Sequence, residues 1–177
     1  MHEGGCLCGG IRYCVSGEPN HVILCHCRFC QRATGGAYMV ETLFDKDAFT
    51  LSKGEPAVYR HVSEGSGKEV LVHFCPNCGT KTHLTFERFP TSVGIYSGTF
   101  DAPDWFDRNP ANTQYFFLEA AQNGTVLPAG YEVFHRHYWA GDGVPSTAQI
   151  FDSPTEVSDT LKRQSAIFAQ KHDSTKS

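Results

Sequence analysis

The sequence predicts a mainly β fold closed by a short C-terminal helix. Three observations carry this. Aromatic residues make up 12% of the 177 residues, with 13 Phe and 7 Tyr, and such side chains favour strands. The chain also holds 17 Gly and 9 Pro, the residues of turns. Apolar and polar residues alternate along several short segments, which is the period of a half-buried strand.

Ile11, Tyr13 and Val15 alternate with Arg12, Cys14 and Ser16 and read as a strand. His21 to Leu24 is a short apolar run that leads into a cysteine cluster. Arg28 to Thr34 reads as one or two helical turns, stopped by Gly35-Gly36, and Ala37 to Phe44 as a strand. Ala57 to Val62 and Glu69 to Phe74 flank the polar segment Ser63 to Lys68, the pattern of a hairpin. Lys81 to Phe86, Ser92 to Phe100 and Tyr131 to Tyr138 are further strand candidates. Asp101 to Asn112 carries Pro103, Trp105, Phe106 and Pro110 and reads as an ordered loop. Ser153-Pro154-Thr155-Glu156 has a capping-box pattern with Pro at the first helical position. It predicts a helix with Val157, Leu161 and Phe168 on one side, fraying after about Lys171.

Apolar residues at 40% and charged residues at 19% are ordinary for a globular chain. A net charge of −4 argues against nucleic-acid binding by bulk charge. No apolar run is long enough to span a bilayer, and the first residues carry no basic and apolar leader pattern. The expectation is a cytoplasmic chain, in which eight cysteines serve as metal ligands or catalytic groups before disulfides.

Seven of the eight cysteines fall into three groups: Cys6-Leu7-Cys8, Cys25-His26-Cys27-Arg28-Phe29-Cys30 and Cys75-Pro76-Asn77-Cys78. The third, followed by Gly79, is a zinc knuckle whose turn aims both thiolates at one point. The first, followed by Gly9-Gly10, has the same logic, because residues i and i+2 of an extended segment face one side. A closed tetrahedral zinc needs four ligands, so these two pairs combine. Cys25, Cys27 and Cys30 supply three, which leaves the fourth position for water or substrate, the pattern of a reactive zinc. Arg28 and Arg32 beside this group, and Lys53, are candidates to meet a carboxylate. Tyr38, Phe100, Trp105 and Phe106 are candidates to line a pocket. Competing readings are a disulfide framework, a thioredoxin-like pair at Cys75 and Cys78, and a purely structural middle group with His26 as fourth ligand. Alternation turns His26 away from Cys25 and Cys27 if the segment is extended. Cys14 reads as a buried thiol on a strand.

Gly5-Cys6-Leu7-Cys8-Gly9-Gly10-Ile11-Arg12-Tyr13, Cys25-His26-Cys27-Arg28-Phe29-Cys30-Gln31-Arg32, Phe74-Cys75-Pro76-Asn77-Cys78-Gly79-Thr80 and Gly98-Thr99-Phe100-Asp101 together resemble the glutathione-dependent formaldehyde-activating enzyme family, also called the centromere protein V/Gfa type. The resemblance implies an Mss4-like β-sandwich or barrel-like fold and two zinc ions per chain. It implies a structural zinc on Cys6, Cys8, Cys75 and Cys78 and a catalytic zinc on Cys25, Cys27 and Cys30. It divides the chain into a zinc domain over residues 1–140 and an extension with a helix and frayed tail over 141–177. The implied activity is that of a carbon–sulfur lyase of the S-(hydroxymethyl)glutathione-forming type. The implied partner is a small thiol or thiol adduct, glutathione in the family's named reaction, with no nucleic acid and no membrane. The alternatives are a non-catalytic zinc-binding interaction module and a zinc hydrolase on the same scaffold.

Overall fold

The structure is a computed structural model and describes residues 1–139 and 144–173. Among these the strands are, in chain order, β1 (His2–Gly5), β2 (Arg12–Val15), β3 (His21–Cys25), β4 (Met39–Asp45), β5 (Phe49–Lys53), β6 (Ala57–Val62), β7 (Glu69–Phe74), β8 (Lys81–Phe86), β9 (Ser92–Tyr96), β10 (Thr113–Phe116), β11 (Val126–Leu127), β12 (Glu132–Val133), β13 (Gln149–Ile150) and β14 (Thr155–Glu156). The helices are α1 (Arg28–Thr34) and α2 (Asp159–Asp173). The protein is therefore mainly β with a short C-terminal helix. No helix among the described residues is long and apolar enough to cross a membrane. The chain forms two compact units, Met1–Val22 with Val40–Asp107 and Ile23–Met39 with Arg108–Ser177.

In the first unit β1, β2 and β5 pair in that order, and β4-β9-β8-β7-β6 form an antiparallel run. The alternation in Ile11 to Ser16 places Tyr13 and Val15 in the core at 0% exposure. There they meet Phe44, Val93, Ile95 and Phe100. The Tyr13 hydroxyl is not orphaned by this burial: it shares a hydrogen bond of 2.8 Å with Thr99 Oγ1. On the opposite face of the same strand Arg12 forks onto Asp101, with Nη1 2.8 Å from Oδ1. The two neighbours thus tie the Gly98–Asp101 segment to β2 from both sides. The hairpin expected around Ser63 to Lys68 is β6–β7. The strand expected over Ser92 to Phe100 stops at Tyr96, and Ser97–Thr99 turns as a 3-10 segment.

In the second unit β13-β12-β10 stand in order with the end of β3 beside β10, and β11 pairs with β14. The strand expected over Tyr131 to Tyr138 is corrected to Glu132–Val133. Beyond it the carbonyls of Phe134, His135 and Arg136 accept from Leu118, Glu119 and Phe117, so their partner is an irregular segment that cannot continue a ladder. The capping box is also corrected. Thr155 and Glu156 are spent on pairing with β11, and Ser158 caps the helix instead, accepting from Leu161 N at 3.2 Å. Val157 and Leu161 pack on Leu118, Leu127 and Val133. The helix runs past Lys171 to Asp173, whose carboxylate accepts from Thr147 N at 2.9 Å. The rest of the expected frayed tail, residues 174–177, lies outside the described residues.

One buried group makes the first unit acid-sensitive. His83 is 5% exposed; it stacks on His73 at 4.1 Å and lies tilted against Phe49 at 4.6 Å. Burial, with a smaller push from His73, lowers its pKa to about 3. The unfolded chain then binds a proton at His83 near pH 6.5 that the folded chain refuses. Its contribution is complete above pH 6.5 and is lost as pH falls towards 3, by up to about 1.4 kcal/mol per pH unit. Urea unfolding at pH 7 and pH 5 should show a loss of stability that is about 2 kcal/mol smaller in His83→Phe than in the wild type.

Candidate metal centres

Each outer cysteine pair lies in the turn of a hairpin. Residues 6–11 connect β1 to β2 and residues 75–80 connect β7 to β8. The two turns close alike: Cys6 N donates to Ile11 O at 3.0 Å, and Cys75 N to Thr80 O at 2.9 Å. Gly9 and Gly79 take φ of 68° and 74°, a left-handed conformation that costs glycine nothing. The turns meet at their tips. Cys6 and Cys8 sulfurs are 3.5 Å apart, Cys8 and Cys75 sulfurs 3.6 Å, and all four sulfurs lie within 4.8 Å of one another. A tetrahedral zinc with bonds of about 2.3 Å sets its sulfurs about 3.8 Å apart, so the four cysteines fit that ion in number, chemistry and spacing.

Polar groups surround the sulfurs. Ile11 N donates to Cys6 Sγ at 3.1 Å. Thr80 Oγ1 lies 3.2 Å from Cys78 Sγ and accepts from Leu7 N at 3.2 Å, so one hydroxyl bridges the two turns. The Thr80 hydrogen bond is the chief cause that lowers the Cys78 thiol to about 5, which favours the thiolate that a metal needs. Lys53, a candidate substrate contact from its charge alone, instead donates to Gly9 O at 2.8 Å. Next to it Gly54 has φ of 77°, and a Cβ there would stand 2.2 Å from Gly10 O. Only glycine lets β5 leave the turn at this point.

The middle group sits where β3 gives way to α1. Cys25 ends the strand, Cys27 is the residue before the helix and its sulfur accepts from Cys30 N at 3.3 Å. Gly35, with φ of 75°, ends the helix, as the Gly35-Gly36 signal implies. The three sulfurs lie within 4.8 Å of one another. Cys25 and Cys30 are buried and Cys27 is half-buried. Hydrogen bonds from Cys25 and then Cys30 pull Cys27 down to about 3; the bond with Cys27 holds Cys25 well above the usual thiol range, and bonds with Cys25 and then Cys27, with burial, do the same for Cys30. The donor set is soft and preformed, which fits zinc with three protein ligands.

His26 is not part of this group. It is 1% exposed and packs on Tyr38, at 5.0 Å, and Tyr115, at 6.4 Å. Its ring nitrogens make no hydrogen bond of normal geometry, and burial, against a smaller pull from the Ala37 backbone, lowers it to about 4. Of the aromatic pocket candidates, Tyr38 alone belongs to this unit. Phe100 and Trp105 serve the core of the first unit, and Trp105 stacks on His2 at 3.5 Å. Arg28 is engaged by Gln31. Gln31 and Thr80 stand in the motif segments, one and two residues beyond a cysteine, but the sequence reading gave them no role. All eight cysteines are free, so the disulfide reading has no support in the geometry.

A protein-family model described as glutathione-dependent formaldehyde-activating enzyme matches residues 1–118. A crystal structure of a Rhodobacter sphaeroides protein is similar at 18% sequence identity and a TM-score of 0.47, covering 64% of this chain and 98% of that chain.

The two groups differ in what their loss should cost. Removing a ligand from the outer group would untie two hairpin tips, and a metal bound there would contribute as structural zinc sites do, on the order of 10 kcal/mol, comparable to a whole domain's net stability. Cys78→Ala should give poorly soluble or molten protein. Cys27→Ala interrupts a local turn and should stay folded while losing about one zinc. Circular dichroism, thermal melts and metal analysis of the two variants make the comparison. Equal unfolding of both would make the middle group structural, and normal folding of Cys78→Ala would break the pairing of the outer turns.

Proposed function

The chain belongs to the glutathione-dependent formaldehyde-activating enzyme family, and from that premise we propose that it is a zinc-dependent carbon–sulfur lyase acting on a small thiol adduct, of the S-(hydroxymethyl)glutathione-forming type. The observation that carries the reading is the unequal donor count, four cysteine sulfurs in one group and three in the other. Four thiolates complete a tetrahedral zinc and leave nothing to react; three leave one position for a reactant. We assign Cys6, Cys8, Cys75 and Cys78 to a structural zinc and Cys25, Cys27 and Cys30 to a catalytic one.

A zinc held by Cys25, Cys27 and Cys30 would supply Lewis acidity towards an incoming thiol or an aldehyde oxygen. The chain's own part is to hold the three sulfurs preformed and to limit water. With Cys25 and Cys30 buried and Cys27 half-exposed, a reactant enters on the Cys27 side. In the forming direction the thiol sulfur bonds the aldehyde carbon, the thiol proton departs and the former carbonyl oxygen gains a proton. Cleavage reverses each change. A reaction that uses glutathione, with every cysteine kept reduced, belongs in a reducing, cytoplasmic setting.

Cobalt substitution tests the open position. Glutathione added to the cobalt protein should change the visible absorption spectrum as a thiol joins the metal. An unchanged spectrum over a wide thiol range would remove the lyase reading and favour a structural middle group or a hydrolase that excludes thiols.

A further inference from the structure

Gln31 is 4% exposed, on a helix of only seven residues, where an aliphatic side chain would fill the same space. A buried amide is costly unless its hydrogen-bonding groups are satisfied, and here they are. Nε2 donates to His26 O at 2.6 Å and to Ala120 O at 2.8 Å, and Oε1 accepts from Arg28 Nη1. With both amide hydrogens committed to carbonyls and the oxygen facing a guanidinium, the amide has one possible orientation. The backbone N–H of Gln31 also donates to Cys27 O at 3.0 Å.

The target of this amide is specific. His26 is the residue between Cys25 and Cys27. Its N–H donates to Phe116 O at 3.0 Å and its carbonyl is held by Gln31, so the backbone between two cysteines is gripped at both ends. The far anchor is itself fixed. Leu118 N and Glu119 N donate to Phe134 O and His135 O, each at 3.1 Å. Phe117, with φ of 63°, is the non-glycine residue held at positive φ there, and such conformations persist only where the surroundings enforce them.

We propose that Gln31 is the positioning residue of the three-cysteine group, locking the Cys25–Cys27 backbone to the Leu118–Ala120 segment so that the sulfurs keep their spacing. The inference rests on the assignment of Cys25, Cys27 and Cys30 as metal ligands. Partners of this kind that orient ligands typically govern metal affinity by 10- to 100-fold.

Gln31→Met keeps the length and removes every hydrogen bond of the side chain; Gln31→Glu keeps the acceptor for Arg28 and removes the donors. Both variants should bind metal at the three-cysteine group about 10- to 100-fold more weakly in chelator competition. Their cobalt spectra should shift, while the first metal and circular dichroism stay near those of the wild type and the melting temperature falls only by the several degrees that the lost hydrogen bonds account for. Unchanged affinity and spectrum in both variants would overturn the inference and make Gln31 ordinary packing. Loss of both metals with general unfolding in both would overturn it as well, since the residue would then serve the whole fold. A wild-type protein that takes up only one metal would instead overturn the ligand assignment, and the inference with it, before any variant is compared.

Discussion

Cys8 and Cys75 are 67 positions apart in the chain, yet their sulfurs lie 3.6 Å from each other. Loop-closure entropy rises only with the logarithm of loop length, so the cost of this contact is modest beside the binding free energy of a zinc on four thiolates. The contact joins the tips of two hairpins, β1–β2 and β7–β8, and several groups of the first unit hold them there. Gly54 clears the backbone of Gly10, Lys53 holds Gly9, and the Thr80 hydroxyl spans both turns. Behind the tips, Tyr13 and Val15 anchor β2 in the apolar core, and Arg12 fastens it to Asp101. Four cysteine sulfurs within 4.8 Å of one another form a donor set that a metal ion can bind.

The second group obeys a different constraint. Its three cysteines come from six consecutive residues, and a strand end, a helix start and one glutamine suffice to gather them. A metal there would close little chain, so little folding energy would depend on it. That freedom suits a reactive centre, whose ligands must tolerate a changing fourth partner without disturbing the fold. The proposed division of labour follows from this contrast: a metal on the outer group would tie distant hairpins, and one on the middle group would sit in a local turn.

The fold class was legible because short alternating runs dominate the first unit, and β2, β6, β7 and β8 stand where period-two patterning puts them. The cysteine grouping was legible because ligand spacing is local chemistry: both turns are six residues long and end alike. What the patterning misplaced was set by distant partners. Thr155 and Glu156 look like a helix start, but β11 claims them. Tyr131 to Tyr138 alternates, but its carbonyls serve the irregular segment at 117–119. Gln31 was illegible because a glutamine one residue past a cysteine looks like any exposed helical residue until the fold buries it. His26 is the converse: alternation predicted that it would turn away from the sulfurs, and it is absent from the ligand group.

Zinc K-edge X-ray absorption on the purified, zinc-repleted protein tests the division into a closed and an open site most directly. The prediction is two zinc ions per chain that share the seven clustered cysteine sulfurs and one lighter oxygen or nitrogen scatterer. A single zinc with four sulfurs, or two zinc ions with no light scatterer, would contradict it.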